Sequence, residues 1–285
     1  MLTPGTPAML AAGFLLAGLI GLAAWRMGAL TPGGALGAML IGGLVFGLGG
    51  LTWAVTLVSF FVGGSLLSRL GGAQKAAILG DVEKAGPRDL VQTLANGGVA
   101  ALMALAVGLV GRESPCYPCF TLAFLGSLAA ASADTWATEL GVLSKQQPRL
   151  ITTGEETPRG FSGGVTRAGL LASLAGGLFI GLTAFITIQA ASLLTTGQWF
   201  LQDWFLLIIL PVAGFAGSII DSILGATVQR LYYCERCNTF TESSTPPCRH
   251  PVRLVRGVSW VNNDAVNFIA SCAGASMAIL ASLLL

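Results

Sequence analysis

The chain has 285 residues, of which 54% are hydrophobic and 10% are charged, and its formal net charge at pH 7 is +2. A soluble domain needs more polar residues than this to cover its surface, so the composition excludes an ordinary water-soluble globule. It indicates a polytopic membrane protein.

Apolar windows near the length of about 20 residues that a membrane helix needs occur eight times. In chain order they cover 8–25, 33–49, 51–68, 91–110, 119–142, 168–192, 204–229 and 264–284. The first lacks the charged start of a signal peptide and is long for one, so we expect a retained helix. Between the second and third windows, Gly47, Gly49 and Gly50 predict a turn. Because a membrane helix satisfies its own backbone, we predict an all-α polytopic bundle of about eight transmembrane helices, with residues 1–285 forming one transmembrane domain.

Positive charge predicts the orientation of this bundle. With eight spans, every Lys and Arg except Arg112 falls on one face of the membrane. Lys and Arg concentrate on the cytoplasmic side, so loops 69–90, 143–167 and 230–260 are predicted to be cytoplasmic and both termini to lie outside, in the cell inner membrane. The cations on that face are Arg26, Arg69, Lys75, Lys84, Arg88, Lys145, Arg149, Arg159, Arg167, Arg230, Arg236, Arg249, Arg253 and Arg256.

Three carboxylates lie inside predicted membrane helices. Asp134 and Glu139 are near the cytoplasmic end of the fifth window, and Asp221 is near that end of the seventh. Asp134 and Glu139 are about 140° apart around a helix, so they face different neighbours of one bundle or the helix ends near Gly141. The windows that start at the same depth bring further polar residues: Gln92, Thr93, Asn96, Asn262, Asn263, Asp264 and Asn267.

Two interpretations of these acids stay open. They are helix-end residues, solvated or paired with Arg at the headgroup level, where a charge costs least. Alternatively, they form a site for Mg²⁺ and phosphate, since Mg²⁺ prefers oxygen ligands and is commonly held by one or two carboxylates together with substrate phosphates. Together with Asp264 at the start of the eighth window, these acids give three helices that supply carboxylates at one depth. This favours the second interpretation, with Asp134 and Asp221 as the predicted Mg²⁺ ligands.

Two cytoplasmic loops carry cations and glycines just ahead of helix starts. Free backbone N–H groups at a helix start favour anions, so both loops are candidates for phosphate binding. Basic loops also serve only to set topology and to contact anionic lipid, and no GxxxxGK[ST] motif is present. The candidate residues are Lys75, Arg88, Arg149, Arg159, Ser162, Gly163 and Gly164.

Cysteines form a separate pattern in "YYCERCNTFTESSTPPCRHPVR". Cys234, Cys237, Cys248 and His250, the only histidine of the chain, match a closed tetrahedral Zn²⁺ site in a short polar loop. The alternative is a set of free or buried thiols. The other cysteines are Cys116 and Cys119, which form a disulfide or stay free on the outer face, and Cys272, which is expected in the core.

Five stretches carry a family resemblance between Gly33 and Phe268: "QTLANGG", "SADTWATELGVLS", "PRLITTGEETPRGFSGGVT", "GSIIDSILGATVQ" and "NNDAVNF". In this order they resemble the membrane-protein family that includes plant and cyanobacterial phytyl-phosphate kinase and the animal transmembrane protein 19. That family is distantly similar to CTP-dependent polyprenol and phytol kinases and to CDP-diacylglycerol synthase. The loop "FTESSTPPCRH" departs from the family's usual Cys and His spacing, which puts the ligand role of His250 in doubt.

The resemblance implies transfer of phosphate from a nucleoside triphosphate, CTP by analogy, to a phytyl- or geranylgeranyl-type monophosphate. It assigns Asp134 and Glu139 to the family's "ADTWxxELG" element, Asp221 to "GSxxDSxLGA", and Lys75 and Arg88 to a basic loop. Asp134, Glu139, Asp221 and Lys75 are therefore the predicted catalytic residues. A membrane cytidylyltransferase, a secondary transporter and a non-catalytic assembly protein are the alternatives. The expected partners are the isoprenoid phosphate, the nucleotide and the bilayer, without nucleic acid.

Overall fold

The computed structural model describes residues 3–79, 86–199, 201–245, 248 and 250–284. Over this part of the chain it contains nine α-helices and two small β-sheets. The helices are α1 (Pro7–Arg26), α2 (Pro32–Leu44), α3 (Leu51–Arg69), α4 (Gly72–Leu79), α5 (Leu90–Val110), α6 (Tyr117–Gly141), α7 (Arg167–Thr196), α8 (Leu206–Thr227) and α9 (Asn263–Ser282). The all-α prediction is confirmed.

Each predicted apolar window corresponds to one long helix. Seven helices in the described part of the chain are long and apolar enough to cross a membrane: α1, α2 with the turn that follows it, α3, α5, α7, α8 with the residues just before it, and α9. The eighth long helix, α6, has 25 residues and carries both Asp134 and Glu139. The short α4 lies in a segment that was predicted only as a loop.

The division between the second and third spans is a glycine turn, as the sequence predicted. α2 continues into a π-helical turn over Val45–Gly49, and α3 starts at Leu51. Gly50 between them has φ +86°, a left-handed value that residues with a Cβ rarely adopt. The two helices are therefore separate spans rather than one kinked helix.

Helix α6 is the centre of the bundle and packs against α5, α7, α8 and α9 through small residues. Its residues from Ala123 to Ala133 are buried without interruption. A β-carbon added to Gly126 would lie 2.4 Å from the carbonyl oxygen of Gly274 on α9. Small residues allow such close approach between membrane helices. This packing fixes α6 in place, and with it the acidic residues at its end.

The small sheets lie in the loops that were predicted to be cytoplasmic. β1 (Arg149–Leu150) pairs antiparallel with β2 (Gly164–Val165). β3 (Leu231–Cys234) is the central strand of the second sheet, with β4 (Thr239–Thr241) and β5 (Arg253–Arg256) antiparallel on either side. Both sheets lie at the end of the bundle where α6 and α8 end and α5, α7 and α9 begin. We call this end of the bundle the cavity end, because a polar cavity opens there.

Cations concentrate at the cavity end. Among the described residues, Arg112 is the only Lys or Arg at the opposite end, where its guanidinium donates to the carbonyl oxygen of Gly49. At the cavity end, Arg69 donates to the carbonyl oxygen of Met27 at 2.9 Å. Two of the predicted cytoplasmic cations, Lys84 and Arg249, lie outside the described residues.

Candidate active site at the cavity end of the helix bundle

A polar cavity of about 300 Å³ opens at the cavity end. Its walls come from α5, α6, α8 and α9 and from the loop that joins α6 to α7. Most of the predicted site residues meet there, although they are spread over the whole chain. Those that line the cavity are Arg88, Asn96, Asp134, Glu139, Arg159, Ser162, Gly163, Gly164, Asp221, Asn263 and Asn267.

Asp134 on α6 and Asp221 on α8 lie in this cavity close enough for the charge of one to act on the other. The Oδ2 atom of Asp221 is buried and has no hydrogen-bond partner among the residues that the structure describes. A buried carboxylate oxygen without a partner is costly unless a cation or a donor satisfies it. Two neighbouring carboxylates with an unsatisfied oxygen fit the ligand chemistry of a hard divalent cation such as Mg²⁺.

Glu139 faces a different neighbour from Asp134, in agreement with the helical geometry. Its Oε2 lies 2.5 Å from the Nζ of Lys75, and its Oε1 accepts a hydrogen bond from the Ser68 hydroxyl. Lys75 also donates to the carbonyl oxygen of Leu67 at 2.6 Å, and it is buried outside the cavity wall. In this structure Lys75 neutralises Glu139 and ties α4 to α6. Its predicted role in neutralising phosphate stays a prediction.

Arg88 lines the cavity from the segment just before α5, where two hydrogen bonds hold its backbone. Its N–H donates to the carbonyl oxygen of Ala29 at 3.1 Å, and its own carbonyl accepts from the N–H of Thr31 at 3.0 Å. The guanidinium carbon lies 5.9 Å from the centre of the Phe61 ring. Burial lowers the pKa of Arg88 while the charge of Glu139 opposes that shift, and the side chain stays a cation at neutral pH. Asn96 on α5 also lines the cavity.

The loop that follows β1 supplies small residues to the cavity wall. Gly163 has φ +86°, and a β-carbon there would lie 2.5 Å from that of Ala226 at the end of α8. Only glycine fits so close to α8 in this conformation. Arg159 of the same loop donates to the carbonyl oxygen of Lys145 at 3.2 Å. Thr166 then caps α7 by accepting from the N–H of Gly169 at 3.0 Å.

An apolar groove of about 120 Å³ adjoins the cavity. It runs between α1, α2, α3 and α5, and its walls are aliphatic, aromatic and glycine residues such as Leu16, Ile20, Ala38 and Phe46. The groove and the cavity share four lining residues: Arg88, Gln92, Asn96 and Thr135. An amphipathic molecule can therefore place its charged end in the cavity and its apolar part in the groove.

Besides Lys75, two more predicted site residues lie outside the cavity wall. Arg149 is exposed, and its guanidinium lies 2.9 Å from Oε1 of Glu156. Asp264 accepts a hydrogen bond from the amide of Asn262 at 3.2 Å, in the first turn of α9. Arg149 and Asp264 thus make local contacts at the loop and at the helix start in this structure, and their role in substrate binding stays a prediction.

Glu242 is a residue that the sequence did not single out. Its Oε1 accepts from the Ser162 hydroxyl, and its Oε2 accepts from the amide of Gln229 at 2.7 Å. Burial raises the pKa of Glu242, opposed by these hydrogen bonds and by Arg256 and Arg230. Its charge also acts on Asp221. No sequence signal pointed here, since Glu242 lies in the cysteine loop, 80 residues after Ser162. Ser218 and Ser222, which flank Asp221 in the cavity wall, were also missed.

Three of the four predicted zinc ligands come together. The sulfur atoms of Cys234, Cys237 and Cys248 all lie within 4.8 Å of one another. Hydrogen bonds with Cys248 and then Cys234 raise the pKa of Cys237 to about 11. His250 does not join this group in the structure: its Nδ1 lies 3.1 Å from the Cys248 carbonyl oxygen, and its Nε2 contacts Arg236, so its role as a zinc ligand stays a prediction. The donor set that fits a soft divalent cation is the three thiols.

The other cysteines have no role in either site. Cys116 and Cys119 are exposed free thiols at the opposite end of the bundle. Cys272 is half-buried and packs against a small apolar cluster beside α9, consistent with the predicted core position.

Comparisons with known proteins agree with the motifs. A family model described as "Integral membrane protein DUF92" matches residues 15–275. Protein PGR of Arabidopsis thaliana is 36% identical over 234 residues, which cover 76% of this chain and 77% of that protein. The uncharacterized membrane protein MJ0933 of Methanocaldococcus jannaschii is 29% identical over 228 residues, which cover 80% and 75%.

The chloroplastic Protein VTE6 of Arabidopsis thaliana is also similar, at 26% identity over 228 residues, which cover 79% of this chain and 56% of that protein. No solved structure matches. The matched region contains all five motifs on which the predicted resemblance rests, and it spans the whole candidate site. This chain therefore belongs to the integral membrane protein DUF92 family.

Proposed function

We propose that this protein is a phosphotransferase that moves the γ-phosphoryl group of a nucleoside triphosphate, CTP by family analogy, onto an isoprenoid monophosphate. The product is the isoprenoid diphosphate. The observation that carries the proposal is the junction of a carboxylate-containing polar cavity with an apolar groove, where both share Arg88, Gln92, Asn96 and Thr135. The similarity to VTE6 and the five sequence motifs support the same reaction class.

The acceptor fits this junction by its chemistry. A phytyl or geranylgeranyl chain is apolar and suits the groove between α1, α2, α3 and α5. Its phosphate would then lie at the mouth of the cavity, beside the cation of Arg88. Arginine binds phosphate through two parallel N–H groups, which also orients the phosphate.

The donor fits the wall on the other side of the cavity. Arg159 supplies positive charge there, and Ser162, Gly163 and Gly164 bring backbone close to the cavity. Asn96, Asn263 and Asn267 add side-chain amides that can donate to phosphate or to the base. Asp134 and Asp221 would hold Mg²⁺, whose chemistry is to neutralise the oxygens of the phosphates that it contacts. Phosphoryl transfer depends mainly on alignment and charge neutralisation, which these groups provide.

The bond changes need no strong general base. An oxygen of the acceptor phosphate, which is already anionic, forms a bond to the γ-phosphorus as the bond to the CDP oxygen breaks. No proton has to be removed from the attacking atom. A cavity wall that contains carboxylates, amides and arginines is therefore sufficient for the chemistry.

Product analysis tests the proposal. Purified full-length protein given Mg²⁺, CTP and phytyl or geranylgeranyl phosphate should yield the isoprenoid diphosphate and CDP. A CMP-linked lipid with pyrophosphate would assign the protein to the cytidylyltransferases instead. Flux of the isoprenoid phosphate across liposomes without any new product would assign it to the transporters, and neither product nor flux would favour a non-catalytic role.

We also propose that the cavity end faces the cytoplasm, because the Lys and Arg residues of the described chain concentrate there. Single cysteines placed in loops 145–165 and 235–255 of a cysteine-free variant should resist an impermeant thiol reagent added to intact cells. A cysteine at Glu113, in the loop at the opposite end, is the control that should react. Labelling of either cavity-end loop from outside would reverse the orientation.

A further inference from the structure

We propose that a metal ion bound by Cys234, Cys237 and Cys248 sets the position of Glu242, and that Glu242 in turn holds Ser162 in the wall of the candidate site. The chemical class of the metal is a soft divalent cation, with Zn²⁺ as the probe. The inference rests on the proposed function only where it describes the Ser162 loop as a phosphate contact. The link from the thiol cluster through Glu242 to Ser162 does not depend on the proposed function.

The thiol cluster brings three segments of the chain together. Cys234 is the last residue of β3, Cys237 lies in the turn after it, and the Cys248 sulfur approaches that of Cys234 to 3.4 Å. The residues of the β3–β4 hairpin from Glu235 to Phe240 are exposed, and the ring of Phe240 contacts those of Phe161 and Tyr233. A cation shared by three thiolates would tie β3, the turn that leads to β4 and the loop that follows β4 together, as zinc does in small loops without a core.

The register of the β3–β4 hairpin links the cysteines to Glu242. Cys234 pairs with Thr239, and Tyr232 pairs with Thr241 at the end of β4. Glu242 follows directly, so the pairing of β3 with β4 determines where its side chain starts. Arg230 donates from its Nε to the Glu242 carbonyl oxygen at 3.1 Å, which holds the backbone at that point.

Glu242 contacts the wall of the candidate site through Ser162. The carboxylate of Glu242 accepts from Ser162 and from Gln229, whose amide also donates to the Ser162 hydroxyl at 2.9 Å. Gln229 is buried, and it follows the end of α8, the helix that carries Asp221. The network therefore joins the hairpin, α8 and the loop of the cavity wall. Glu242 does not line the cavity, which makes it a positioning residue that acts through Ser162.

The structural test uses full-length protein in detergent and measures zinc content together with backbone hydrogen exchange. Wild-type protein should contain about one zinc per chain. Removal of zinc by a chelator should speed exchange in the segment 159–164 by about tenfold, as expected when a charged hydrogen bond is lost, while exchange in α1 and α2 stays unchanged. Glu242→Gln should speed exchange in the same segment and keep its zinc. Glu235→Gln, which changes an exposed carboxylate of the same hairpin, is the matched control and should do neither.

A kinetic test separates positioning from general support of the fold. Glu242→Gln and Ser162→Ala should each raise the KM for MgCTP by about tenfold with a smaller change in kcat. The double variant should be no worse than either single variant, because the two substitutions break the same contact. Absence of zinc from wild-type protein, unchanged exchange in 159–164 after chelation or in Glu242→Gln, or additive kinetic effects would each overturn the inference. If the protein has no kinase activity, zinc content and exchange still decide the structural part, so the two proposals fail separately.

Discussion

The polar cavity and the apolar groove are neighbours that differ in both chemistry and packing. The cavity is built around α6, whose central residues are fully buried and whose helix neighbours approach through glycines. The groove is walled by α1 and α3, which expose large side chains such as Leu15 and Leu66 on their outer faces. In a bilayer these faces meet lipid. The charged groups of the site therefore lie on closely packed helices, whereas the groove adjoins helix faces that meet lipid.

Under the proposed function, this difference gives the two regions separate tasks. Reacting phosphates need alignment to within a fraction of an ångström, which a tightly packed helix provides. A hydrocarbon chain needs only apolar contact, which depends on area and little on direction. Changes in the cavity should therefore affect the rate of reaction, while changes in the groove should affect which acceptor binds.

The largest effect is expected from the two neighbouring carboxylates. Asp134→Asn and Asp221→Asn keep the side-chain volume and remove the charge, so each should lower phosphotransfer by about 100-fold or more, measured as kcat/KM. Folding should survive, since removal of an intramembrane charge relieves a desolvation cost.

Asp203→Asn is the matched control for these two variants. Asp203 precedes α8 at the opposite end of the bundle from Asp221, and it accepts a hydrogen bond from Gln189 at 3.2 Å. This variant should keep nearly full activity. Wild-type activity in both Asp134→Asn and Asp221→Asn would exclude a metal site at these carboxylates.

A smaller effect is expected at Arg88, which both regions share. Arg88→Gln should lower kcat/KM by about 30-fold, in line with the loss of one charge-assisted contact to phosphate. Arg88→Lys should lose less, because it keeps the charge and loses the paired N–H groups. Arg26→Gln removes an exposed cation at the same end of the bundle and should change little. Activity of Arg88→Gln within twofold of wild type would remove Arg88 from the site.

The groove should respond in substrate choice. Ala38 lines the groove, and Ala38→Phe should raise the KM for geranylgeranyl phosphate by about tenfold and leave that for a five-carbon isoprenoid phosphate unchanged. Leu40→Phe is the control, because Leu40 is exposed on the same helix and does not line the groove. An equal rise for both acceptors in Ala38→Phe would mean that the groove does not bind the apolar chain.

The sequence predicted the helix bundle well because a membrane imposes one strong rule on length and composition. Each apolar window became one long helix, and the glycine turn before Leu51 lies where it was expected. The helix α4 and the strands β1 to β5 were not predicted. They are short and lie in polar loops, where no hydrophobic period distinguishes a strand from a coil.

The sequence predicted which side chains lie near one another where depth in the membrane determined position. Asp134 and Asp221 were placed at a common depth by the helix boundaries alone, and the structure brings both to one cavity. Loops have no such constraint, so their cations could not be sorted into those that reach the cavity and those that pair with a neighbour. The same reason hid Glu242, whose contact with Ser162 depends on how a loop folds back over α8.

The smallest effect is expected at Arg149, and it tests how the structure separates two cations of one loop. Arg149 is 61% exposed in its side chain and is paired with Glu156, whereas Arg159 lines the cavity. An exposed ion pair contributes little to stability, and Arg149 does not line the cavity. Arg149→Gln should therefore keep kcat/KM within about twofold of wild type, while Arg159→Gln should lose about tenfold because it removes a charge that faces the donor. Both values come from the same assay with CTP as the varied substrate. A larger loss in Arg149→Gln than in Arg159→Gln would show that the loop rearranges when nucleotide binds, with Arg149 replacing Arg159 at the phosphates.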